Sequence, residues 1–149
     1  LTLVGDGNKS SKKKLTKYIN ICDPKNSFIK WHKGIGLNEV IKFYHNSDAF
    51  VFASSCENMP NIIVEAMASG LPIASSNYEP MNEFLRNKAF YFNPLLIDEI
   101  YQTLKELVLN HDKRYTIASN CNFLSKKYTW KKCAKQTFYF LKDVKNDLK

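Results

Sequence analysis

With 149 residues, 44% of them hydrophobic, the chain is long enough to bury the core of one compact domain. It holds no run of about 18 apolar residues, which excludes a membrane-spanning helix. Its net charge of +8 leaves three partner classes to weigh: nucleic acid, an anionic membrane surface and phosphorylated substrates.

Leu1-Thr2-Leu3-Val4 reads as a strand, followed by Gly5-Asp6-Gly7 and a helix over residues 10–21. Gly-Asp-Gly permits a tight turn, but alone it is a weak phosphate signal. Residues 28–31 read as a short strand, and His32 after it as an ordinary loop histidine. Leu37, Val40, Ile41 and Tyr44 recur at helical spacing, which predicts a helix packed on a sheet. His45 falls at its end, where a cation suits the helix dipole. No recognition helix or aromatic RNA-binding pattern appears, so no nucleic-acid partner is expected. The lysines, including Lys12-Lys13-Lys14, read first as a solvated surface. The four cysteines, Cys22, Cys56, Cys121 and Cys133, lack CxxC spacing and the pattern of a secreted framework. Reduced thiols and a cytoplasmic setting are therefore expected, and the opening residues do not read as a signal peptide.

The most informative stretch runs from Ser54 to Pro72, SSCENMPNIIVEAMASGLP. A strand over residues 49–53 feeds it and a second, over 72–75, leaves it. Between them lies a short helix. Pro60 biases Met59 away from helical angles and suits a first helical turn. Gly70 stands where a left-handed cap is wanted, and Pro72 forbids continuation. Strand, loop, helix, strand is the parallel crossover of an α/β sheet. Glu57 lies in the loop and Glu65 in the helix. Ile62, Ile63, Val64, Ala66, Met67 and Ala68 make the surroundings of Glu65 apolar nearly all round, so this helix is expected to be mostly buried. A buried carboxylate is costly unless something hydrogen-bonds it. Glu65 therefore either has a structural partner, reaches water, or accepts hydrogen bonds from ligand hydroxyls. A glycosidase pair is disfavoured, because a loop residue and a second-turn residue do not face one bond. One ligand held at two points suits the spacing better, with anionic groups between them at the N–H groups of the first turn.

After this unit, Asn77-Tyr78-Glu79-Pro80 reads as a turn, residues 81–86 as a short helix and 89–92 as the last strand, ended by Asn93-Pro94. Three amphipathic helices follow. Ile97, Ile100, Tyr101, Leu104, Leu107 and Val108 mark the first; Ile117, Ala118, Cys121 and Leu124 mark the second. Trp130, Cys133, Ala134, Thr137, Phe138, Leu141 and Val144 mark the third, whose stripe reads as core with part of it exposed as an unmatched interface.

Glu57 and Glu65 in Glu-x7-Glu, followed by Ala66-Met67-Ala68, Gly70 and Pro72, resemble the donor-binding signature of retaining glycosyltransferases of family 4, which have the GT-B fold. The family often has Gly where this chain has Asn58 and Pro60. The resemblance spans the chain and implies a Rossmann-like α/β fold, a parallel sheet with flanking helices, over one domain of residues 1–149. It implies a nucleotide-sugar donor, UDP- or GDP-linked, and no metal or cofactor. Glu65 would bind the nucleotide ribose. Glu57, the residue placed as catalytic, would bind the hydroxyls of the donor sugar, and backbone amides around Asn58, Met59, Asn61 and Ile62 would face sugar and pyrophosphate. Lys33 or Gly34 would fall near the base. Glu83 matches a family Glu but is given no role here.

The family places Val4-Gly5-Asp6-Gly7 at the end of its second strand. By that resemblance the first, central strand and the N-terminal acceptor domain lie outside this chain. In a sheet of order 3-2-1-4-5-6 that leaves residues 1–4 and 49–53 either separated by a vacant lane or forced to close up, and marginal stability is expected of the isolated chain. Tyr128-Thr129-Trp130 resembles the start of the closing helix, which crosses toward the acceptor domain. The acceptor would be a glycan or lipid-linked glycan, with association at the cytoplasmic face of a membrane. Two rivals are a GT-B sugar-nucleotide epimerase, which lacks this Glu-x7-Glu form, and a non-catalytic basic α/β module binding anionic partners.

Overall fold

The structure, a computed structural model, describes residues 1–147. Two compact units divide at Asn46. Every strand pairing is parallel, and helices separate successive strands, as an α/β fold requires. The strands form two ladders rather than one sheet, β1-β2 and β3-β4-β5.

The first unit, Leu1–Asn46, comprises β1 (Thr2–Val4), α1 (Lys9–Cys22), β2 (Lys30–His32) and α2 (Leu37–His45). Thr2 pairs with Lys30 and Val4 with His32. Asn8 caps α1 by accepting the Ser11 N–H at 2.9 Å. Strand β2 starts two residues later than its apolar run suggests, and Asp23 supplies the reason. Its carboxylate accepts the N–H of Ser27 at 2.8 Å, Phe28 at 2.8 Å and Ile29 at 2.7 Å, plus the Ser27 hydroxyl at 2.9 Å. Residues 27–29 are thus committed to a loop around one acid. His32 is the last strand residue rather than a loop residue, and its ring lies 4.6 Å from that of Phe43. On α2, Tyr44 is buried, while Leu37 and Ile41 remain exposed.

The second unit begins at Ser47 and contains β3 (Phe50–Phe52), α3 (Asn61–Ala68), β4 (Ile73–Ser76), α4 (Met81–Leu85), β5 (Phe90–Phe92), α5 (Ile97–Leu109), α6 (His111–Ser125) and α7 (Trp130–Asp147). Strand β4 is central and buried throughout, which explains its lack of polar alternation apart from serines. Ile63, Ala66 and Met67 of α3, Met81 and Leu85 of α4, Phe90 and Phe92 of β5 and Leu107 of α5 form the core around it. Ile117, Cys121 and Leu124 of α6 are buried as well, and α6 packs on α3. Cys121 Sγ donates to the Lys88 carbonyl at 2.8 Å, and burial pushes its thiol up to about 11. The other three cysteines are exposed and free.

Two expectations about burial are corrected. Helix α3 is less than mostly buried: Ile63, Ala66 and Met67 are buried, Val64 and Glu65 half-buried, and Asn61, Ile62 and Ala68 exposed on the side opposite Ile63 and Met67. The stripe of α7 is not core at all. Trp130 is 79% exposed and Phe138 69%, and every residue from Trp130 to Asn146 is exposed. Periodicity correctly identified an amphipathic helix, but it carries no information on what covers the apolar face.

Candidate functional site

All six residues singled out in the sequence lie on one continuous piece of the second unit, the loop after β3 and the first turns of α3. β3, β4 and β5 run parallel, so this loop leaves the carboxyl end of its strand on the same side as the loop after β4. In open α/β sheets that side is where ligands bind.

Local hydrogen bonds fix the loop at both ends. At its root, the Ser76 hydroxyl at the end of β4 donates to the Ser54 carbonyl at 2.6 Å. Ser54 Oγ in turn donates to the Cys56 carbonyl at 3.2 Å. At its far end Pro60 is buried and occupies the N-cap of α3 instead of the first helical turn. No side chain caps this helix. The Asn61 amide donates to the Met59 carbonyl at 2.9 Å and the Ile63 amide to the Pro60 carbonyl at 2.9 Å. A ligand would therefore compete for the Asn61 amide or use its exposed side chain. The N–H groups of Asn58 and Met59 make no hydrogen bond among the described residues.

Glu57 is half-buried, and among the described residues its side chain has no ion pair or hydrogen bond. Glu65 is also half-buried, on the α3 side shared with Asn61 one turn earlier. It engages a neighbour within the chain. Asn58, Met59, Asn61 and Ile62 are exposed beside the acids. Chain position puts one carboxylate in the loop before α3 and the other in the second turn of the helix, with loop amides and the positive end of the helix dipole between them in sequence. A depression of about 600 Å³ between the end of α5 and the start of α6, lined by Lys105, Glu106, Asn110 and His111, contains none of these residues. No group of three or more His, Cys, Asp or Glu among the described residues is placed to hold a metal.

The far end of α3 is anchored where the sequence showed only part of the device. Gly70 adopts φ +73°, its N–H donates to Met67 and that of Leu71 to Ala66, closing a Schellman motif with Leu71 buried. Asn122 of α6 adds a hydrogen bond from Nδ2 to the Ala68 carbonyl at 2.9 Å. This residue escaped sequence reasoning because its partner lies 54 positions away. Asp23 also escaped, although Asp-Pro is a turn signal that could have marked it. In the first unit Gly34 adopts φ +59°, with open space beside its Cα, and Lys33 Nζ lies 3.9 Å over the Trp31 ring. Glu83 is exposed on α4.

The sequence profile of glycosyl transferases group 1 matches residues 1–122. The chain belongs to this family. Among relatives of this group 1 glycosyltransferase chain, a Haemophilus influenzae protein described as an uncharacterized glycosyltransferase is 27% identical over 132 residues, covering 86% of this chain and 36% of the relative. Sucrose-phosphate synthase from Thermosynechococcus elongatus superposes with a TM-score of 0.84 at 14% identity, over 99% of this chain and 39% of that one. Anabaena Alr3699/HepE in complex with UDP-glucose gives 0.82 at 22% identity, over 95% and 40%. The chain thus spans about two fifths or less of each of these three proteins, and its fold is that of the C-terminal domain of a GT-B glycosyltransferase.

Proposed function

We propose that this group 1 glycosyltransferase chain is the nucleotide-sugar donor-binding part of a retaining enzyme of family 4. It would serve polysaccharide, lipopolysaccharide or glycolipid synthesis in the cell envelope by hexosyl transfer. The observation that supports the reading is the contiguous stretch that holds Glu57, half-buried in the loop before the uncapped start of α3, and Glu65, half-buried in its second turn. Glu65 accepts hydrogen bonds from the ribose hydroxyls and Glu57 from the donor-sugar hydroxyls, next to the anomeric centre. Asn58, Met59, Asn61 and Ile62 present the strip along which sugar and pyrophosphate lie. In the transfer, the bond from the anomeric carbon to the diphosphate oxygen breaks and one to an acceptor oxygen forms. Charge growing on the leaving diphosphate is stabilised by the helix terminus and basic groups. A UDP-glucose complex of the structural neighbour HepE supports a UDP-sugar over a GDP-sugar. The limited share of each relative that the chain covers supports a division in which a separate N-terminal domain holds the acceptor, a glycan or lipid-linked glycan. On that division this chain alone is inactive in transfer, and the exposed face of α7 is available to that domain. The protein works in the cytoplasm, at the membrane face where such acceptors lie. No helix of the described residues is long and apolar enough to cross a membrane.

Calorimetry on Glu57→Ala tests the assignment. The variant is expected to lose about tenfold or more in affinity for UDP-glucose, with UDP binding changed little, since a hydrogen bond to a charged group contributes roughly 1.5–3 kcal/mol. Equal loss for UDP and UDP-glucose would overturn the division of roles.

A further inference from the structure

We propose that α1 is a docking surface for an anionic lipid bilayer. This rests on, and localises, the membrane association proposed above.

Charge is distributed unevenly along the chain. Residues 1–46 hold nine lysines, no arginine, two aspartates and one glutamate, a net +6 out of +8 for the whole chain. All three carboxylates of this unit are committed. Asp6 pairs with Lys12 at 2.7 Å, Asp23 is buried within its loop, and Glu39 Oε2 accepts the Gly36 N–H at the start of α2. Helix α1, KSSKKKLTKYINIC, has no acidic residue. Lys9, Lys13 and Lys17 recur every four positions and so line one face, with Lys14 beside them, all exposed. Tyr18 and Ile21, 53% and 63% exposed, stand one turn after Lys14 and Lys17.

Four lysines with no ion pair among the described residues, and an aromatic and an aliphatic side chain beside them, complement a negatively charged lipid interface. The ammonium groups meet the headgroups, and Tyr18 and Ile21 enter the boundary layer. Nucleic acid fits less well, because the unit lacks arginine, whose guanidinium fork suits phosphate, and Ile21 adds apolar area that suits lipid better than a base. Helix α7 also carries lysines beside an apolar face, but its broad aromatic stripe suits a protein partner, and Asp143 lies among its charges.

Co-sedimentation of the 149-residue chain with vesicles tests the proposal. Binding is expected to phosphatidylcholine vesicles holding about 30% phosphatidylglycerol at about 0.1 M salt, and not to pure phosphatidylcholine. The triple variant Lys9→Gln, Lys13→Gln, Lys17→Gln should lower partitioning about a hundredfold, and Tyr18→Ala should lower it several-fold. Glutamine matches lysine in helix propensity, so an unchanged circular dichroism spectrum is expected. Lys131→Gln, Lys132→Gln, Lys135→Gln on α7 should leave binding unchanged. Absence of wild-type binding would overturn both the docking surface and the membrane association. Wild-type binding that survives the α1 changes, or is lost on the α7 changes instead, would overturn the surface alone. Tighter binding to a random-sequence duplex than to the vesicles would identify α1 as a nucleic-acid surface. UDP binding is unaffected in every case, so these outcomes are separate from the donor reading.

Discussion

Asp23 is the residue on which the first unit turns. Burial by itself would raise its pKa. The amides of Ile29, Ser27 and Phe28 and the Ser27 hydroxyl outweigh that effect and hold the carboxyl well below the ordinary 3.8. Because the folded value is depressed, the contribution is present above the unfolded value and is lost as pH falls below it. Stability of the first unit is therefore expected to be level from neutral pH to about 5 and to fall below about 4. Asp23→Asn should lower stability at neutral pH and flatten that acid limb. Hydrogen exchange at the Phe28 and Ile29 amides reports both, and an acid limb unchanged in the variant would refute the assignment. Glu57 and Glu65 of the candidate site stood out in the sequence because their stretch is contiguous and carries its own turn residues. Asp23 and Asn122 act through contacts that only the fold brings together, apart from the Asp-Pro hint.

At the scale of elements, α3 matters most, since its start carries the candidate site and its end is held by Gly70 and Asn122. Gly70→Ala places a Cβ at φ +73° and is expected to destabilise the second unit by about 1–2 kcal/mol. Asn122→Ala removes one hydrogen bond to a helix carbonyl and should cost about 1 kcal/mol. Thermal or urea unfolding measures both, and a neutral Gly70→Ala would show that the Schellman turn is not needed. The element order was legible from periodicity and from Gly and Pro positions. Where boundaries differ, a side chain supplies the reason: Asp23 takes the amides of Phe28 and Ile29 out of β2, and Asn8 starts α1 before Ser10. For α7 the pattern defined a face, and the chain itself leaves that face uncovered.

Across the whole molecule, the two ladders and two units imply unequal stability. Ile29 and Tyr44 are the buried apolar side chains of the first unit, whereas the second centres on a fully buried strand. A unit of 46 residues with so small a core is expected to open first. Hydrogen exchange should show α1 and β2 exchanging well before β4, and a single cooperative transition protecting both units equally would contradict this. The central claim concerns the second unit. It is tested most directly by calorimetric titration of UDP into the wild-type chain and into Glu65→Ala. Saturable binding by the wild type is predicted, weakened about a hundredfold in the variant through the loss of hydrogen bonds to the ribose. Equal affinity in the two proteins, or no saturable binding by the wild type, would contradict it.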